Sequence, residues 1–326
     1  MDRRKTGLAE GSVSSYHYRL KLWVEWCERQ GIETVGELSG WTFDQYEAER
    51  SGDDLAPSTL HNNMETLQDH IEYLERIEAV EEGLSEKVNV PEVPDEDRSR
   101  ETKLDPDDAV ALVRHYRDSE NDYGTNLHAF LELAWHTGAR LGALRGLDIR
   151  DYDSGEQYVE FVHRPQTDTP LKNQTHGERT VSLRPEVCDA VDSYVRDERK
   201  DAHDEYGRQP LFGTLQGNRP GKNTLRVWSY QATMPCVAGG CPHGYDPDSC
   251  DFRSHTHASK CPSSRSPHHI RTGSIAWHRD RGFPREVTTE RVNGSQDVID
   301  KFYDKATKLE RMQLRRRLHL DKLAIE

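Results

Sequence analysis

Residues 262–303 read PSSRSPHHIRTGSIAWHRDRGFPREVTTERVNGSQDVIDKFY. His268 and Arg271 stand three residues apart in this stretch, a spacing that places both on one side of a helix. Tyr303 follows 32 residues after Arg271, just ahead of a basic segment with helical patterning. The stretch therefore offers a proton-transfer group, a cation and a hydroxyl nucleophile in a fixed order.

A second stretch supplies more cationic groups. Residues 136–149 read HTGARLGALRGLDI, in which Arg140 follows a helix end at Gly138, and Lys172 stands in the turn that comes next. Breaking a phosphodiester bond needs a nucleophile, positive donors for the charge on the non-bridging oxygens, and a proton for the leaving oxygen. The two stretches and the turn together hold all three without a metal.

The order and context of these residues resemble the tyrosine recombinase, or phage integrase, family. That family has a first Arg in a T-G-x-R box, a Lys on a β-hairpin turn, an H-x-x-R pair, and a nucleophilic Tyr near the end. The matching positions here are Thr137 to Arg140, Lys172, His268 to Arg271, and Tyr303. The resemblance is close from about Asp105 onward and covers the N-terminal helices in type only. The segments SKCPSSRSPHHIR and RVNGSQDVIDKFYDKAT look most like integrases of halophilic archaea.

The resemblance implies a role for each matched residue. Tyr303 would attack the scissile phosphate and form a 3′-phosphotyrosyl link, releasing a 5′-hydroxyl. Arg140 and Arg271 would hold the phosphate oxygens through charge-assisted hydrogen bonds. Lys172 would protonate the leaving oxygen, and His268 would assist proton transfer at Tyr303. Because the bond energy stays in the protein–DNA link, the implied enzyme needs neither ATP nor a metal ion.

The chain departs from the family pattern at several positions. Asn293 stands about ten residues before the Tyr, where the family usually has His or Trp, and we expect its amide to donate to a phosphate oxygen. Ala143 replaces an acid that commonly braces the first Arg, and the loop around Lys172 is longer than usual. These departures leave a second interpretation open, a DNA-binding protein of the same fold with lost or weakened cleavage. A relaxing activity like that of type IB topoisomerases is a third, because the chemistry is shared.

Each candidate residue also has a purely structural interpretation. Arg140 is consistent with a helix-capping role, and His268 with a hydrogen-bonded pair formed with His269. Tyr303 is consistent with an ordinary aromatic on an amphipathic helix, and Lys172 with the solvated loop position that most lysines occupy. The four motifs in sequence order, rather than any one of them, favour catalysis.

An inserted loop from about residue 235 to 262 is rich in Cys and His and is not general to the family. Its four cysteines, with three histidines between them, contain enough ligands for one tetrahedral zinc ion; they are Cys236, Cys241, Cys250 and Cys261. The loop lacks paired C-x-x-C motifs, so reduced thiols packed as small apolar groups are the alternative. A zinc-stabilised interaction module that never binds nucleic acid also fits this part of the sequence.

The pattern of apolar residues predicts a mainly α chain of two domains. Residues 1–88 would form a helical core-binding (SAM-like) domain, and the Pro- and acid-rich residues 89–103 a linker. Residues 104–326 would form an α-rich tyrosine recombinase catalytic domain with a small antiparallel sheet, in which 235–262 is the Cys/His-rich insertion and 304–326 a helical tail. The resemblance implies that the domains clamp double-stranded DNA at specific recombination sites, and that the tails couple the subunits of a tetramer on DNA.

Periodicity and capping residues place the elements of the first domain. We expect a helix over 12–30, a shorter one after a cap at Thr42, and a long one capped by Ser58.

In the second domain we expect helices over about 105–117 and 127–136, the first opened by an Asp-Pro pair. Alternating residues predict strands over 158–162 and 180–183, joined by the loop LKNQTHGE.

The charge balance is unusual for a chain that binds nucleic acid. Its 326 residues carry 44 basic and 58 acidic side chains, a net charge of −14, although 32 of the basic residues are Arg, which makes the planar contacts that phosphates favour. An acidic, Lys-poor surface also predicts a halophilic source. The first residues do not resemble a signal peptide, and no apolar run reaches membrane-spanning length, so we expect a cytoplasmic, nucleoid-associated protein. The resemblance implies integration or excision of a mobile element.

Overall fold

The chain divides into two compact units, residues 1–100 and 101–326. The computed structural model of the protein describes residues 10–94, 102–300 and 307–316. The boundary between the units lies inside the segment that the sequence predicts as a linker.

The first unit is a helical bundle. Its helices are α1 (Glu10–Arg29), α2 (Gly40–Gly52) and α3 (Pro57–Arg76), with short 3-10 turns at Val35–Glu37 and Ser85–Lys87. The core is aromatic where α1 meets α2, because Trp23 stacks on Trp26 at 5.4 Å between ring centres and Tyr46 meets both rings edge-on. The helix α3 buries one apolar face against them, at the three- and four-residue spacing that the sequence predicts.

Two helix starts in this unit differ from the sequence-based prediction. Helix α2 begins at Gly40 with Ser39 as its N-cap, whereas Thr42, the predicted cap, is the third residue of the helix and its hydroxyl accepts from the Ser39 amide. Helix α3 begins at Pro57, so Ser58 lies inside the first turn instead of capping it. Ser and Thr both suit a cap, and Pro suits the first helical position because its missing N–H would have no partner there. The predicted cap Thr42 lies three residues after the observed N-cap Ser39, and Ser58 lies two residues after the observed N-cap Ala56.

The chain after α3 packs against the first unit as far as Val93, which a free linker would not do. Val88 and Val93 are buried, and Val90 packs partly against the core of the bundle. A nitrogen of the His61 ring lies 2.8 Å from the carbonyl oxygen of Pro91. The first residues of the predicted linker therefore belong to the bundle.

The second unit combines many helices with a small sheet. Its helices are α4 (Pro106–Asp118), α5 (Asn126–Thr137), α6 (Leu141–Gly146), α7 (Pro185–Ser193), α8 (Lys222–Ala232), α9 (Pro267–Asp280), α10 (Arg285–Val292), α11 (Gln296–Val298) and α12 (Lys308–Glu310). Its strands are β1 (Tyr152–Asp153), β2 (Tyr158–Phe161) and β3 (Arg179–Ser182). Short 3-10 turns lie at Ile149–Asp151, Pro165–Thr167, Gln174–Gly177, Pro235–Val237, Asp251–Arg253 and Ala258–Lys260, and π-helical turns at Tyr194–Glu198 and Arg311–Arg316.

The helix α5 runs through the middle of the second unit. Thr125 caps its start, almost all of its side chains are buried, and α7, α8 and α9 pack around it. A mostly apolar helix with so few exposed side chains is stable only when it is surrounded in this way. The three strands form an antiparallel sheet in the order β1-β2-β3, with the buried Val159 opposite Val181.

The predicted fold class is confirmed, because the chain is mainly α with a small antiparallel sheet. Within the described residues, no helix combines the length and apolar character needed to cross a membrane. Of the predicted tail 304–326, only 307–316 is described; it is helical, and Leu309 and Met312 are exposed there.

Candidate active site

A cleft of about 770 Å³ opens in the second unit. Four of the predicted catalytic residues line it: Arg140, Lys172, His268 and Arg271. They come from three separate places in the chain, namely the start of α6, the turn between β2 and β3, and the first turns of α9. The fold therefore gathers the residues that the motif spacing singles out.

Arg140 reaches the cleft because α5 stops abruptly. Gly138 adopts a left-handed conformation (φ 60°) that ends the helix, and a side chain at this position would meet Val292 Cγ1 at 2.9 Å. The chain then turns into α6, with Arg140 at its N-cap position. The Nη1 of Arg140 donates to the carbonyl oxygen of Asn293 at 2.6 Å.

Arg271 is held in almost complete isolation from water, with 2% of its surface exposed. Its Nη1 donates at 2.6 Å to two carbonyl oxygens, those of Gly138 and Val292. The carbonyls of residues 292 and 293, at the end of α10, thus each hold one of the two arginines. The two guanidinium groups are fixed side by side by one stretch of backbone.

His268 lies one helical turn before Arg271, just after the N-cap Ser266 of α9. Its pKa is lowered, first by the loss of solvation in the cleft and then by the positive charges of Arg271, Arg140 and Lys172. At neutral pH the imidazole is therefore uncharged, the form that accepts a proton.

Lys172 stands on the exposed turn between β2 and β3. The buried Leu171 anchors the turn next to it, and the Leu171 amide donates to Nδ1 of His163 at 3.0 Å. The ammonium group of Lys172 forms no hydrogen bond or ion pair with any residue in the described ranges. It is free to reach a ligand in the cleft.

Asn293 is placed differently from the predicted phosphate donor. Its side chain is not part of the cleft lining; instead Oδ1 accepts from Nδ2 of Asn173, at 2.9 Å, on the Lys172 turn. The backbone of Asn293 is left-handed (φ 52°, ψ 65°) and ends α10, which directs its carbonyl at Arg140. A phosphate contact by its amide stays a prediction.

Tyr303 lies outside the described residues. The chain leading to it is described up to Asp300, and Ser295 and Val298 line the cleft. Ile299 is buried in a small apolar cluster with Ile275 of α9 and Val292 of α10. The last described turn before the tyrosine is thus anchored at the edge of the site.

Three arginines near the site were missed by the sequence reasoning. Arg226, on α8, lines the cleft and is exposed. Arg179 lies over the ring of Phe161, at 4.2 Å, and its Nε donates to the carbonyl of Arg291 at 2.8 Å. The Nε and Nη2 of Arg291 donate to the carbonyl of His136 at 3.1 and 3.0 Å. Strand alternation placed Arg179 on the inward face with Val181, a signal that was available; nothing in the sequence distinguished the other two.

Burial lowers the pKa values of Arg179 and Arg291. The pKa of Arg179 is lowered to about 9 by burial and then by the charges of Arg271, Arg140 and Arg291. Burial also lowers the pKa of Arg291 to about 10. Among the described residues no carboxylate forms an ion pair with Arg140, Arg179 or Arg291. A cluster of cations that are not ion-paired with carboxylates suits an anionic ligand such as a phosphodiester.

The Cys-rich loop gives no support to the zinc prediction. All of its cysteines are free thiols, and the pKa of Cys236 is raised mainly by burial. In the described parts of the chain, which include the whole of this loop, no group of three or more His, Cys, Asp or Glu side chains could hold a metal ion. The zinc interpretation stays a prediction.

Comparison with known proteins adds evidence about the family. No family model and no curated protein matches the chain. A solved structure of the Tn1549 transposon integrase with a circular intermediate DNA matches over 99% of this chain and 96% of its own, at 14% identity and a TM-score of 0.69. A lambda integrase dimer bound to a COC′ core site matches over 94% and 95%, at 10% identity and a TM-score of 0.59. These two show the fold.

The sequence relationship comes from a third structure, the N-terminal domain of a phage integrase/site-specific recombinase from Haloarcula marismortui. It is 48% identical over 28% of this chain and 86% of its own, with a TM-score of 0.27. The chain belongs to the tyrosine recombinase family. The resemblance inferred from the four motifs is therefore confirmed. The cleft of this tyrosine recombinase lies where the Thr-Gly-x-Arg box, the Lys172 turn and the His-x-x-Arg pair meet.

Proposed function

We propose that the protein is a site-specific recombinase that cleaves and rejoins DNA through a 3′-phosphotyrosyl intermediate on Tyr303. The observation that supports this most is the meeting of Arg140 and Arg271 at one helix end, in a cleft that His268 and Lys172 also line. Two fixed guanidinium groups next to a neutral imidazole and an exposed ammonium form a site for a phosphodiester undergoing nucleophilic attack.

Each residue has one step in the proposed reaction. The Tyr303 oxygen attacks the phosphorus, its proton passes to neutral His268, and the bond to the 5′ oxygen breaks as Lys172 gives that oxygen a proton. Arg140 and Arg271 donate to the non-bridging oxygens, where charge builds up in the transition state. Reversing the steps with a new 5′-hydroxyl rejoins the strand and frees the tyrosine, so neither ATP nor a metal ion is consumed.

The backbone contacts explain why the arginines suit this role. Because Nη1 of Arg140 is occupied by the Asn293 carbonyl, the guanidinium plane is fixed and its other donors remain for a ligand. Preorganised donors need no rearrangement when the charge develops, which is the main source of their effect.

The partner in this proposal is double-stranded DNA at specific recombination sites. Two strand exchanges in a tetramer on DNA would integrate or excise a mobile element, and the protein would act in the cytoplasm, associated with the nucleoid. The net charge of −14 is compatible with DNA binding, because the cleft itself is lined by Arg140, Lys172, Arg226 and Arg271 and a local field attracts the phosphates.

A second candidate is a DNA-binding protein of the same fold with weakened cleavage. Ala143 is buried on α6 at the position where the family commonly has an acid, so Arg140 lacks that brace here. The side-chain oxygen of Asn293 accepts from Asn173, and the residue does not line the cleft, so this position adds no side-chain donor there.

A nicked duplex from DNA flanking the encoding element tests the proposal. Cleavage next to the nick lets the short 5′-hydroxyl strand diffuse away, so the protein–DNA link accumulates. Wild type should give an adduct that survives detergent and disappears with protease, and Tyr303→Phe should give none. Tyr206→Phe, at an exposed tyrosine away from the cleft, is the matched control and should behave as wild type.

The same assay, together with a plasmid relaxation assay, separates the alternatives. Binding without an adduct in wild type favours the weakened-cleavage candidate and contradicts the proposal. Relaxation of any supercoiled plasmid, without exchange between matched sites, favours topoisomerase-like activity. An adduct that persists in Tyr303→Phe contradicts the assigned nucleophile.

A further inference from the structure

Asn293, which stands where the family usually has His or Trp, contacts both Arg140 and the turn that carries Lys172. The main chain of Asn293 accepts from Arg140 at 2.6 Å, and its side chain accepts from Asn173 at 2.9 Å. Asn173 is the residue directly after Lys172. One residue therefore joins the arginine-bearing backbone to the lysine-bearing turn.

The turn is shaped to receive this side chain. A Cβ added to Gly177 would lie 2.7 Å from Nδ2 of Asn293, so a larger residue there would displace the amide from its present position. The far end of the same loop is attached to α10 in a second way, because Arg179 donates to the carbonyls of Arg291 and Gly177. The tip of the turn, at Lys172 and Asn173, is exposed and depends on the amide pair for its link to α10.

We propose that Asn293 is a positioning residue, which acts through Asn173 to hold Lys172 at a set distance from the two arginines. This inference rests on the proposed function. In this proposal the Asn293 amide does not contact the phosphate directly. Its contact with Asn173 instead sets the position of Lys172, the general acid. A shift of about 1 Å in a catalytic group can lower a rate by about 100-fold, so loss of the hydrogen bond between Asn173 and Asn293 has a measurable consequence.

The left-handed backbone of Asn293 allows the side chain to be tested alone. In Asn293→Gly the φ of 52° remains favourable, so the carbonyl that holds Arg140 is retained while the amide is lost. Asn173→Ala removes the other half of the pair on an exposed turn, where it does not disturb the core.

The experiment compares two nicked substrates, one with the ordinary 5′ oxygen and one with sulfur in that bridging position. A thiolate leaves without being protonated, so the sulfur substrate does not need the general acid. We expect Asn293→Gly and Asn173→Ala to lower single-turnover cleavage of the oxygen substrate by about 10- to 100-fold, and of the sulfur substrate by less than about 3-fold. The double variant should be no slower than either single variant, since both break one contact.

Wild-type rates in both variants, or equal losses on both substrates, would overturn the inference, because a phosphate contact does not depend on the leaving group. DNA affinity and the unfolding midpoint are measured in parallel and should stay at wild-type values; a loss of affinity that accounts for the lost cleavage would also overturn it. Failure of the proposed function is distinct, since wild type would then form no adduct with either substrate.

Discussion

Arg226, like Lys172, is a cleft residue whose charged group has no partner among the described residues. It lines the cleft from α8, is exposed, and forms no hydrogen bond or ion pair with any residue in the described ranges. The other cleft arginines are oriented by carbonyl groups, so they are built for one geometry. An unattached arginine suits a backbone phosphate beside the scissile one.

We expect Arg226→Ala to weaken DNA binding by about 3- to 10-fold at moderate salt and to reduce the slope of log affinity against log salt by about 1. The reason is the loss of a single phosphate contact. Fluorescence anisotropy over a salt series measures both. Arg196→Ala is the matched control, because Arg196 is exposed but paired with Asp197 outside the cleft, and it should leave the slope unchanged. An unchanged slope in Arg226→Ala would remove this residue from the DNA contact.

At the scale of elements, the site depends on how α5 ends. Gly138 is left-handed and lies against Val292. The end of α5 therefore contacts the end of α10, and the carbonyls of both ends bind the arginines. Gly138→Ala should lower the free energy of unfolding by roughly 1–3 kcal/mol, because a Cβ is strained in this conformation and also meets Val292. Denaturant unfolding measures this difference.

The control for that substitution lies four residues along the chain. Gly142 is inside α6, and a Cβ there meets nothing within 4 Å. Gly142→Ala should therefore be neutral or stabilising by up to about 1 kcal/mol. Equal effects of the two substitutions would show that the left-handed turn is not the cause.

The contact between α5, α9 and α10 also predicts a pH dependence. His136 and His278 are packed near Arg291, and burial followed by the Arg291 charge lowers the pKa of each to about 3. Between pH 6.5 and pH 3 the unfolded chain therefore binds protons that the folded chain does not. Stability is fully present above pH 6.5 and is lost as the pH falls, by about 2 kcal/mol per imidazole from pH 7 to pH 5.

His278→Phe keeps an aromatic ring at this position and removes one titrating group. The loss of unfolding free energy between pH 7 and pH 5 should shrink by about 2 kcal/mol relative to wild type, as measured by urea denaturation at each pH. An unchanged loss would mean that the imidazole titrates normally in the folded protein.

Local sequence signals predicted the helices and strands better than the tertiary contacts between them. The Thr-Gly-x-Arg and His-x-x-Arg boxes identified Arg140 and Arg271 because local sequence determines both positions, the N-cap of α6 and the second turn of α9. The partners of Arg140 and Arg271 were not predictable, since the carbonyls of residues 292 and 293 approach them only through tertiary packing. The link between Asn173 and Asn293 spans 120 residues for the same reason.

At the scale of the whole molecule, the dominant property is the net charge of −14. Like charges on the surface repel one another and oppose compaction, and salt screens this repulsion. The cleft has the opposite sign, so salt should weaken its attraction for DNA. Stability and DNA binding are thus expected to respond to salt in opposite directions.

We expect the thermal unfolding midpoint to rise by several degrees between about 0.2 M and about 2 M KCl, because a Debye length of a few ångströms screens the acidic surface. Differential scanning calorimetry in the two salts measures it. A midpoint that stays constant or falls would contradict the electrostatic argument and the predicted halophilic source.

The chain's central chemistry is tested most directly by finding the atom that carries the DNA. Protein trapped on the nicked duplex is digested with protease and nuclease, and the nucleotide-bearing peptide is sequenced by mass spectrometry. The account predicts a 3′-linked nucleotide on the hydroxyl of Tyr303. A nucleotide on any other side chain, or a 5′-linked one, would contradict it.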